Sequence, residues 1–331
     1  MGVVGRLDGY QRRHRWLGLP LATVYKFIDD QGNHLAALVT YYGFLSLFPL
    51  LMLLVTFLEF LLGNDLGLQR WVLRSAVNQF PVIGEHITQD IRSPRGNGLA
   101  VTVGILVSLY GSMGVAQAAQ NAMNRIWGVA RNDRPNPFLS RLRSLLLLVV
   151  IGGGVLFTTL VSGVVTRVPG YGLLVHTLAT VLAVGLNSVL FTVALRMLTV
   201  RPLTVREVLG GAFGAAVTWQ LLQWAGGYYL THLLRGASAT YGVFALVLGL
   251  IAWIYLGALT LILAAELNAV RVERMWPRSL LTPVTDNVRL TRGDRKAYAS
   301  YAGTEQHKGF QTIEVGFHQE PRPDQGDDPP T

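Results

Sequence analysis

Four amide side chains recur along one apolar segment of the sequence. They follow the spacing i, i+3, i+4 and i+7, which places them on one face of a helix: Gln117, Gln120, Asn121 and Asn124. Amides in an apolar environment require hydrogen-bond partners, because an unsatisfied polar group in hydrocarbon is costly. Such a face either lines a water-filled cavity or bonds to neighbouring helices, and the sequence leaves both interpretations open.

An acidic and a basic residue lie at the ends of two apolar segments. Glu266 is the only acid in the last two of these segments, and Arg125 directly follows the amide stripe. A Glu266–Arg125 ion pair is therefore geometrically possible, and an ionisable group inside a membrane is a candidate proton or ion relay. The alternative is that Glu266 simply lies in the polar interface of a membrane.

Two other residues stand out within apolar segments. Asn187 lies in the middle of one of them and is expected to form a hydrogen bond between helices. Pro49 lies in the middle of another, where it removes a backbone hydrogen bond and clashes with the carbonyl of Leu45. This predicts a kink whose freed carbonyl finds a partner such as the Ser46 hydroxyl or a neighbouring helix.

No signature of a catalytic, nucleotide or metal site occurs in the sequence. The patterns GxxxxGK[ST], HExxH and GxSxG are missing, and there is no cysteine. The seven histidines are scattered, and acids cluster only near the C-terminus, whereas a nuclease needs grouped acids or histidines. The sequence therefore predicts no catalytic residue, no metal, no cofactor and no enzyme activity.

The composition indicates the elements that hold these residues. Charged residues make up 14% of the chain and hydrophobic residues 51%, with a mean hydropathy of +0.38, whereas a soluble protein carries about 25% charge. A membrane-spanning helix needs about 20 apolar residues. The charge-poor stretches accommodate six of them, at about 34–62, 98–124, 144–166, 173–196, from Val208 onward, and 242–267. The predicted fold is an all-α polytopic membrane protein with six transmembrane helices.

The net charge of +9 predicts an orientation rather than a nucleic-acid partner. Lysine and arginine are concentrated before the first span, between spans two and three, between spans four and five, and after span six. Because positive loops stay on the cytoplasmic side, both termini are predicted to be cytoplasmic. Membrane lipids are the expected partners of these basic residues.

Three regions follow from this pattern. Residues 1–33 form a cytoplasmic amphipathic segment, with apolar residues at helical spacing (Leu21, Val24, Tyr25 and Ile28). Residues 34–275 form the transmembrane domain, in which 63–97 predict two short interfacial helices that either cap a cavity or rest on the bilayer. Gly210 and Gly214 predict a close approach between helices. Residues 276–331 form a cytoplasmic tail, predicted to be largely disordered from about Asp286.

Four segments together resemble the YihY/BrkB family of bacterial inner-membrane proteins. These segments are LAALVTYYGFLSLFPLLMLL (35–54), QNAMNRIWGV (120–129), the arginine-rich loop that opens span three, and YGVFALVLGLIAWIYLGALTLILAAELNAVRVER (241–274). The likeness covers roughly residues 15–275 and implies a six-helix inner-membrane protein. The motif positions are Tyr41, Tyr42, Ser46, Pro49, Asn121, Asn124, Arg125, Trp127, Tyr241, Gly242, Glu266, Leu267 and Asn268. Nothing in the chain supports the ribonuclease label that the family once carried.

Two functions are compatible with these features. The first is a passive or ion-coupled transporter or flippase-like protein for an amphipathic or lipid-like solute. The second is an envelope structural or assembly protein that acts through helix packing and basic loops. The candidate cavity or transport residues are Gln117, Gln120, Asn121, Asn124, Arg125, Asn187, Glu266 and Asn268, and the candidate hinge or motif residues are Tyr41, Tyr42, Ser46, Pro49, Tyr241 and Gly242.

Overall fold

A computed structural model describes residues 3–62, 67, 98–165, 172–232, 242–282, 285 and 288–317. Within these ranges the regular elements are helices, and no strand occurs. The interfacial helices predicted within 63–97 and the motif residue Tyr241 lie outside the described residues.

Six long helices form the body of the molecule. They are α3 (Gly32–Leu62), α4 (Gly98–Ile126), α5 (Pro137–Val165), α6 (Gly172–Leu198), α7 (Val205–His232) and α8 (Gly242–Glu273). Each contains one of the six predicted apolar segments. The one clear difference is α5, which begins at Pro137 instead of 144. Proline suits the first turn of a helix, because the amide that it lacks would be unpaired there.

Four of these helices are long and apolar enough to cross a membrane, by length and composition. The qualifying segments are Thr102–Ile126, Phe138–Thr158, Thr177–Leu198 and Val247–Glu273. Their outward side chains include exposed apolar residues such as Val149, Phe157 and Val181, which suit contact with hydrocarbon. The spanning role of α3 and α7 stays a prediction.

The six helices pack in a ring that follows the order of the chain. Each contacts its sequence neighbour, and α8 returns to contact α3. The core combines many alanines with larger side chains such as Met123, Leu195 and Ile262. Small residues let the helix backbones approach closely, which is a principal source of packing energy in membranes.

Two N-terminal helices, α1 (Val3–Arg13) and α2 (Arg15–Asp29), lie at one end of the ring. The connections α4–α5 and α6–α7 and the end of α8 lie at this same end, which we call the basic end. In α2 the apolar stripe Trp16, Val24 and Ile28 is exposed, whereas the stripe Ala22 and Lys26 is buried against the protein. The predicted amphipathic segment is thus two helices, and its buried face carries a charge.

Part of the C-terminal segment is folded. The composition predicts disorder beyond Asp286, but Arg292–Thr304 forms a further helix, α9. A capping box starts it: Thr291 Oγ1 accepts a hydrogen bond from the Asp294 amide, and the Asp294 carboxylate accepts one from the Thr291 amide. This arrangement satisfies two backbone groups that a helix start otherwise leaves unpaired. The prediction of disorder is therefore wrong for this stretch.

The close approach of α7 and α8 is centred on Gly211. A Cβ atom there would collide with the carbonyl oxygen of Ala264. Asn268 fills the adjacent space, where its Nδ2 donates to the Val208 carbonyl (2.9 Å) and its Oδ1 accepts from the Gly211 amide (2.8 Å). The predicted contact at Gly214 is wrong, since nothing lies within 4 Å of a Cβ placed there.

Replacing Asn268 with leucine removes both buried hydrogen bonds between α7 and α8. We expect Asn268→Leu to lower the free energy of unfolding by about 2 kcal/mol, seen as a lower Tm of the detergent-solubilised protein. Asn132→Ala is the control, because the Asn132 side chain donates a hydrogen bond to the adjacent Asp133 in an exposed loop and joins no two helices. Equal melting temperatures for the two variants would contradict the assigned role of Asn268.

Candidate functional site

A cavity of about 640 Å³ lies between α3 and α4 and reaches the basic end. One part of its lining is apolar and aromatic, and includes Leu35, Leu38, Leu45, Tyr42 and Tyr110. The other part is polar, and includes Gln117, Asn121, Arg125, Arg131, Arg134, Arg141 and Glu305. The cavity therefore has an amphipathic wall, with its charge concentrated at one end.

Small residues on α4 bring the two walls together. A Cβ at Gly114 would lie 2.8 Å from the Tyr42 ring, and one at Gly111 would lie 3.4 Å from Pro49. The Ser46 hydroxyl donates to the Gly111 carbonyl (2.9 Å). The predicted hydrogen bond from the Ser46 hydroxyl to the Leu45 carbonyl is therefore wrong, because this hydroxyl joins α3 to α4 instead.

Four arginines surround the mouth of the cavity. Arg131 forms an ion pair with Glu305 (2.9 Å), and Arg134 donates to the Val129 carbonyl (3.3 Å). The Arg141 guanidinium lies 5.8 Å from the centre of the Tyr110 ring. The sequence alone does not identify Arg131, Arg134 and Arg141 as site residues, because arginines in a loop between apolar segments indicate membrane orientation first.

The mouth is electrostatically crowded. Burial lowers the pKa of Arg134 from its usual value, and the neighbouring charges of Arg131 and Arg125 lower it further, while Glu305 opposes them. Guanidinium groups remain protonated in proteins even so. The lowered pKa therefore reflects burial first and repulsion between guanidinium groups second, and an anion in the mouth would offset both.

The predicted amide stripe divides into two functions. Gln117 and Asn121 line the cavity. Gln120 is buried and donates to Ser144 Oγ (2.9 Å) on α5, and Asn124 accepts from Thr199 Oγ1 (3.1 Å) and the Val200 amide (2.9 Å). One half of the stripe therefore lines a cavity, and the other half bonds to neighbouring elements.

Other predicted site residues lie away from the cavity. Asn187 is half-buried in α6, Asn268 joins α7 to α8, and Gly242 begins α8. Tyr41 is exposed, and its ring packs edge-on against the ring of Tyr42, with the ring centres 5.2 Å apart. Of the aromatic motif pair, only Tyr42 lines the cavity.

A buried cluster of three charges lies beside the cavity at the basic end. Glu266 is fully buried in α8, and Lys26 Nζ of α2 lies 3.1 Å from its Oε2. Lys26 also forms an ion pair with Asp30. The partner of Glu266 is thus Lys26, and the predicted pairing with Arg125 is wrong. Neither oxygen of Glu266 makes a directed hydrogen bond within the described residues, so the contact with Lys26 is electrostatic.

The protonation of this cluster reflects competition between burial and charge. Burial alone would lower the pKa of Lys26, but the carboxylates of Glu266 and Asp30 outweigh it and raise that pKa above its usual value. Burial raises the pKa of Asp30, although the charges of Lys26 and Arg125 oppose the shift. Lys26 therefore holds its proton firmly, and Arg125 couples the cavity mouth electrostatically to the cluster.

A second charged group ties the C-terminal segment over this cluster. Arg278 Nε donates to Asp294 Oδ1 (2.6 Å), and its terminal nitrogen donates to Asp29 Oδ2 (3.1 Å). The Tyr301 hydroxyl donates to the same Asp29 oxygen (3.1 Å), and the Tyr301 ring lies 5.8 Å from Lys26 Nζ. The two helices α2 and α9 therefore shield the buried charges from solvent. Within the described residues, no group of three His, Cys, Asp or Glu side chains could hold a metal ion.

A sequence model of the family described as virulence factor BrkB matches residues 23–287 of the chain. The chain belongs to this family. The matched range covers all six long helices, Lys26 and Arg278, and it ends before α9 and the cavity residue Glu305. The recognition of the YihY/BrkB family from sequence is thereby confirmed.

Proteins similar in sequence to this BrkB family member support the assignment. The chain is 26% identical to "Putative ribonuclease-like protein YfkH" of Bacillus subtilis, over 75% of its own length and 93% of that protein. It is 25% identical to a UPF0761 membrane protein of Pseudoalteromonas translucida, over 74% of its own length and 83% of that protein. No solved structure matches. Together with the apolar helices, these relatives identify a multi-pass membrane protein.

The charge cluster predicts an asymmetry between variants of its members. Lys26→Met leaves two buried carboxyl groups without a counter-charge, and we expect a loss of about 3–5 kcal/mol. Glu266→Gln keeps the Lys26–Asp30 pair, and we expect a much smaller loss. The triple variant Lys26→Met, Asp30→Asn, Glu266→Gln removes all charge and should recover much of the stability lost in Lys26→Met.

The measurement is the Tm of each purified variant in detergent. Lys296→Met is the matched control, because the Lys296 ammonium donates to the Glu273 carbonyl at an exposed position. It should melt like the unmodified protein. Equal losses for Lys26→Met and Glu266→Gln, or no recovery in the triple variant, would contradict the assigned electrostatics.

Proposed function

We propose that the protein is a bacterial inner-membrane transporter or flippase-like protein that moves an amphipathic or lipid-like solute without catalysing a reaction. In this proposal α3–α8 all cross the membrane, and the basic end faces the cytoplasm with both termini. The observation that carries it is the amphipathic cavity between α3 and α4.

The wall of the cavity suits a solute with an apolar and a polar part. Leucines and tyrosines of α3 and α4 form its apolar part, and the amides of α4 together with four arginines form its polar part. Leu38, Leu45 and Tyr110 are each more than half exposed, at 53%, 51% and 68%. The cavity is therefore open along its side, where an amphiphile could enter from the bilayer.

The hinge and the ion cluster supply the remaining parts of the proposal. Pro49 lies inside α3 and faces Gly111 of α4. Because a proline removes a backbone hydrogen bond from a helix interior, this position is the proposed hinge between the two walls. Lys26, Asp30 and Glu266 form the buried cluster beside the cavity and provide titratable groups for ion coupling. The sequence contains no phosphate-binding loop, and so transport is proposed to be passive or coupled to an ion.

A second candidate function is a structural or assembly protein of the envelope. The observation that favours it is the use of Gln120 and Asn124 in packing between neighbouring elements. The open cavity and its unpacked polar residues, Gln117 and Asn121, have no role in that alternative.

Reconstituted vesicles distinguish the two functions. Fluorescent phospholipids in the inner leaflet of vesicles that contain the protein should become accessible to an external quencher faster than in protein-free vesicles. Asn121→Trp fills the cavity and should slow this movement severalfold. Leu182→Trp, which places the same side chain on the exposed face of α6, should leave the rate unchanged. Rates equal to those of protein-free vesicles would overturn transport and favour the assembly function.

A further inference from the structure

We propose that the cavity mouth binds the phosphate-bearing head group of an acidic lipid, which is held by Arg125, Arg131 and Arg134 while its chain follows the apolar wall. This inference rests on the proposed function, because it names the chemical class of the solute. It assigns a ligand to a defined set of residues, and binding can be measured without transport.

The charge of the cavity mouth is complementary to an anion. Four arginines line the mouth together with a single acid, Glu305. Glu305 is already paired with Arg131. Within the described part of the chain, the guanidinium groups of Arg125 and Arg141 make no ion pair and no hydrogen bond. The positive charge of the mouth is thus compensated only in part, by Glu305 and by Asp30, which acts on Arg125 from the neighbouring cluster.

Holding several guanidinium groups together at the mouth is energetically unfavourable. Burial and the charges of Arg131 and Arg125 lower the pKa of Arg134, as described above. Like charges gathered at a partly buried site are unfavourable unless a counter-ion binds there. A bound anion would offset this repulsion, so the crowding itself favours an anionic ligand.

The guanidinium groups and the adjoining apolar wall together favour a lipid phosphate over other anions. The guanidinium group is a planar fork that matches phosphate oxygens in pairs, and several such groups can surround one phosphate. The adjoining apolar wall extends from Leu35 to Leu45, a distance of about 15 Å along a helix. A free phosphate would leave this wall unused, whereas an acyl chain would cover it.

The Arg131–Glu305 ion pair defines what happens when the ligand enters. Both side chains are about half exposed, at 49% and 53%, so the pair is weak and exchangeable. A phosphate that binds Arg131 displaces Glu305, which directly follows α9. The C-terminal segment is therefore expected to loosen at the cavity mouth when lipid binds.

Equilibrium binding to the full-length protein in zwitterionic detergent tests the inference. The probes are fluorescent phosphatidic acid, fluorescent phosphatidylcholine and inorganic phosphate as a competitor. We expect phosphatidic acid to bind at least about tenfold more tightly than phosphatidylcholine, with an affinity that falls as salt is added. Inorganic phosphate should displace it only at far higher concentrations.

Variants separate the cavity mouth from general surface charge. The double variant Arg125→Gln, Arg134→Gln should lose at least about tenfold in affinity for phosphatidic acid. Arg125→Lys, Arg134→Lys keeps the charge but loses the planar fork, so its affinity for phosphatidic acid should lie between those of the glutamine variant and the unmodified protein. Retained binding in this variant shows that the loss in the glutamine variant does not come from misfolding. Arg206→Gln is the control, because Arg206 is exposed at the start of α7 and does not line the cavity.

Three results would overturn the inference: equal affinity for the two lipids, an equal loss in Arg206→Gln, or displacement by inorganic phosphate at concentrations similar to those of the lipid. Failure of the proposed function gives a different pattern. Selective binding without movement in vesicles leaves the lipid site intact and overturns transport. Movement of lipids without head-group preference supports transport and overturns the lipid site.

Discussion

The ion pair between Lys26 and Glu266 is the contact on which the basic end depends. A carboxylate buried at the end of an apolar helix requires a counter-charge, because solvent cannot reach it. Lys26 supplies that charge from outside the ring of helices. This fixes α2 against α8, and α2 in turn offers Asp29 to Arg278 and Tyr301. The position of α9 therefore follows from a charge near the end of α8.

The helix α4 has two polar faces with opposite roles. One face uses Gln120 and Asn124 to hold α5 and the connection between α6 and α7. The other presents Gln117 and Asn121 to the cavity. Fixing the first face orients the second, so the packing contacts determine which amides remain available to a ligand. Both pairs of amides therefore contribute to the amphipathic wall: one pair orients α4, and the other pair lines the cavity.

The sequence predicts the long helices well, because the absence of charge over about 20 residues is a strong physical signal. It predicts single contacts poorly. Lys26 belongs to an amphipathic helix that looks solvated, and periodicity does not reveal that its partner is Glu266. Periodicity also places all four amides on one face, although the angular spread across that face separates Gln117 from Gln120. The residue pair Thr291 and Asp294 has the spacing of a capping box and so indicates the start of α9, whereas the polar composition of the tail indicates disorder.

The distance along the chain between Lys26 and Glu266 has a consequence for biogenesis. Lys26 leaves the ribosome before all six long helices, whereas Glu266 emerges only after the other five. Until then, α2 has no carboxylate on α8 to meet, and the ring cannot close. Closing it is a long-range step that follows membrane insertion. A chain truncated before Glu266 would therefore lack the ion pair that holds α2 against α8.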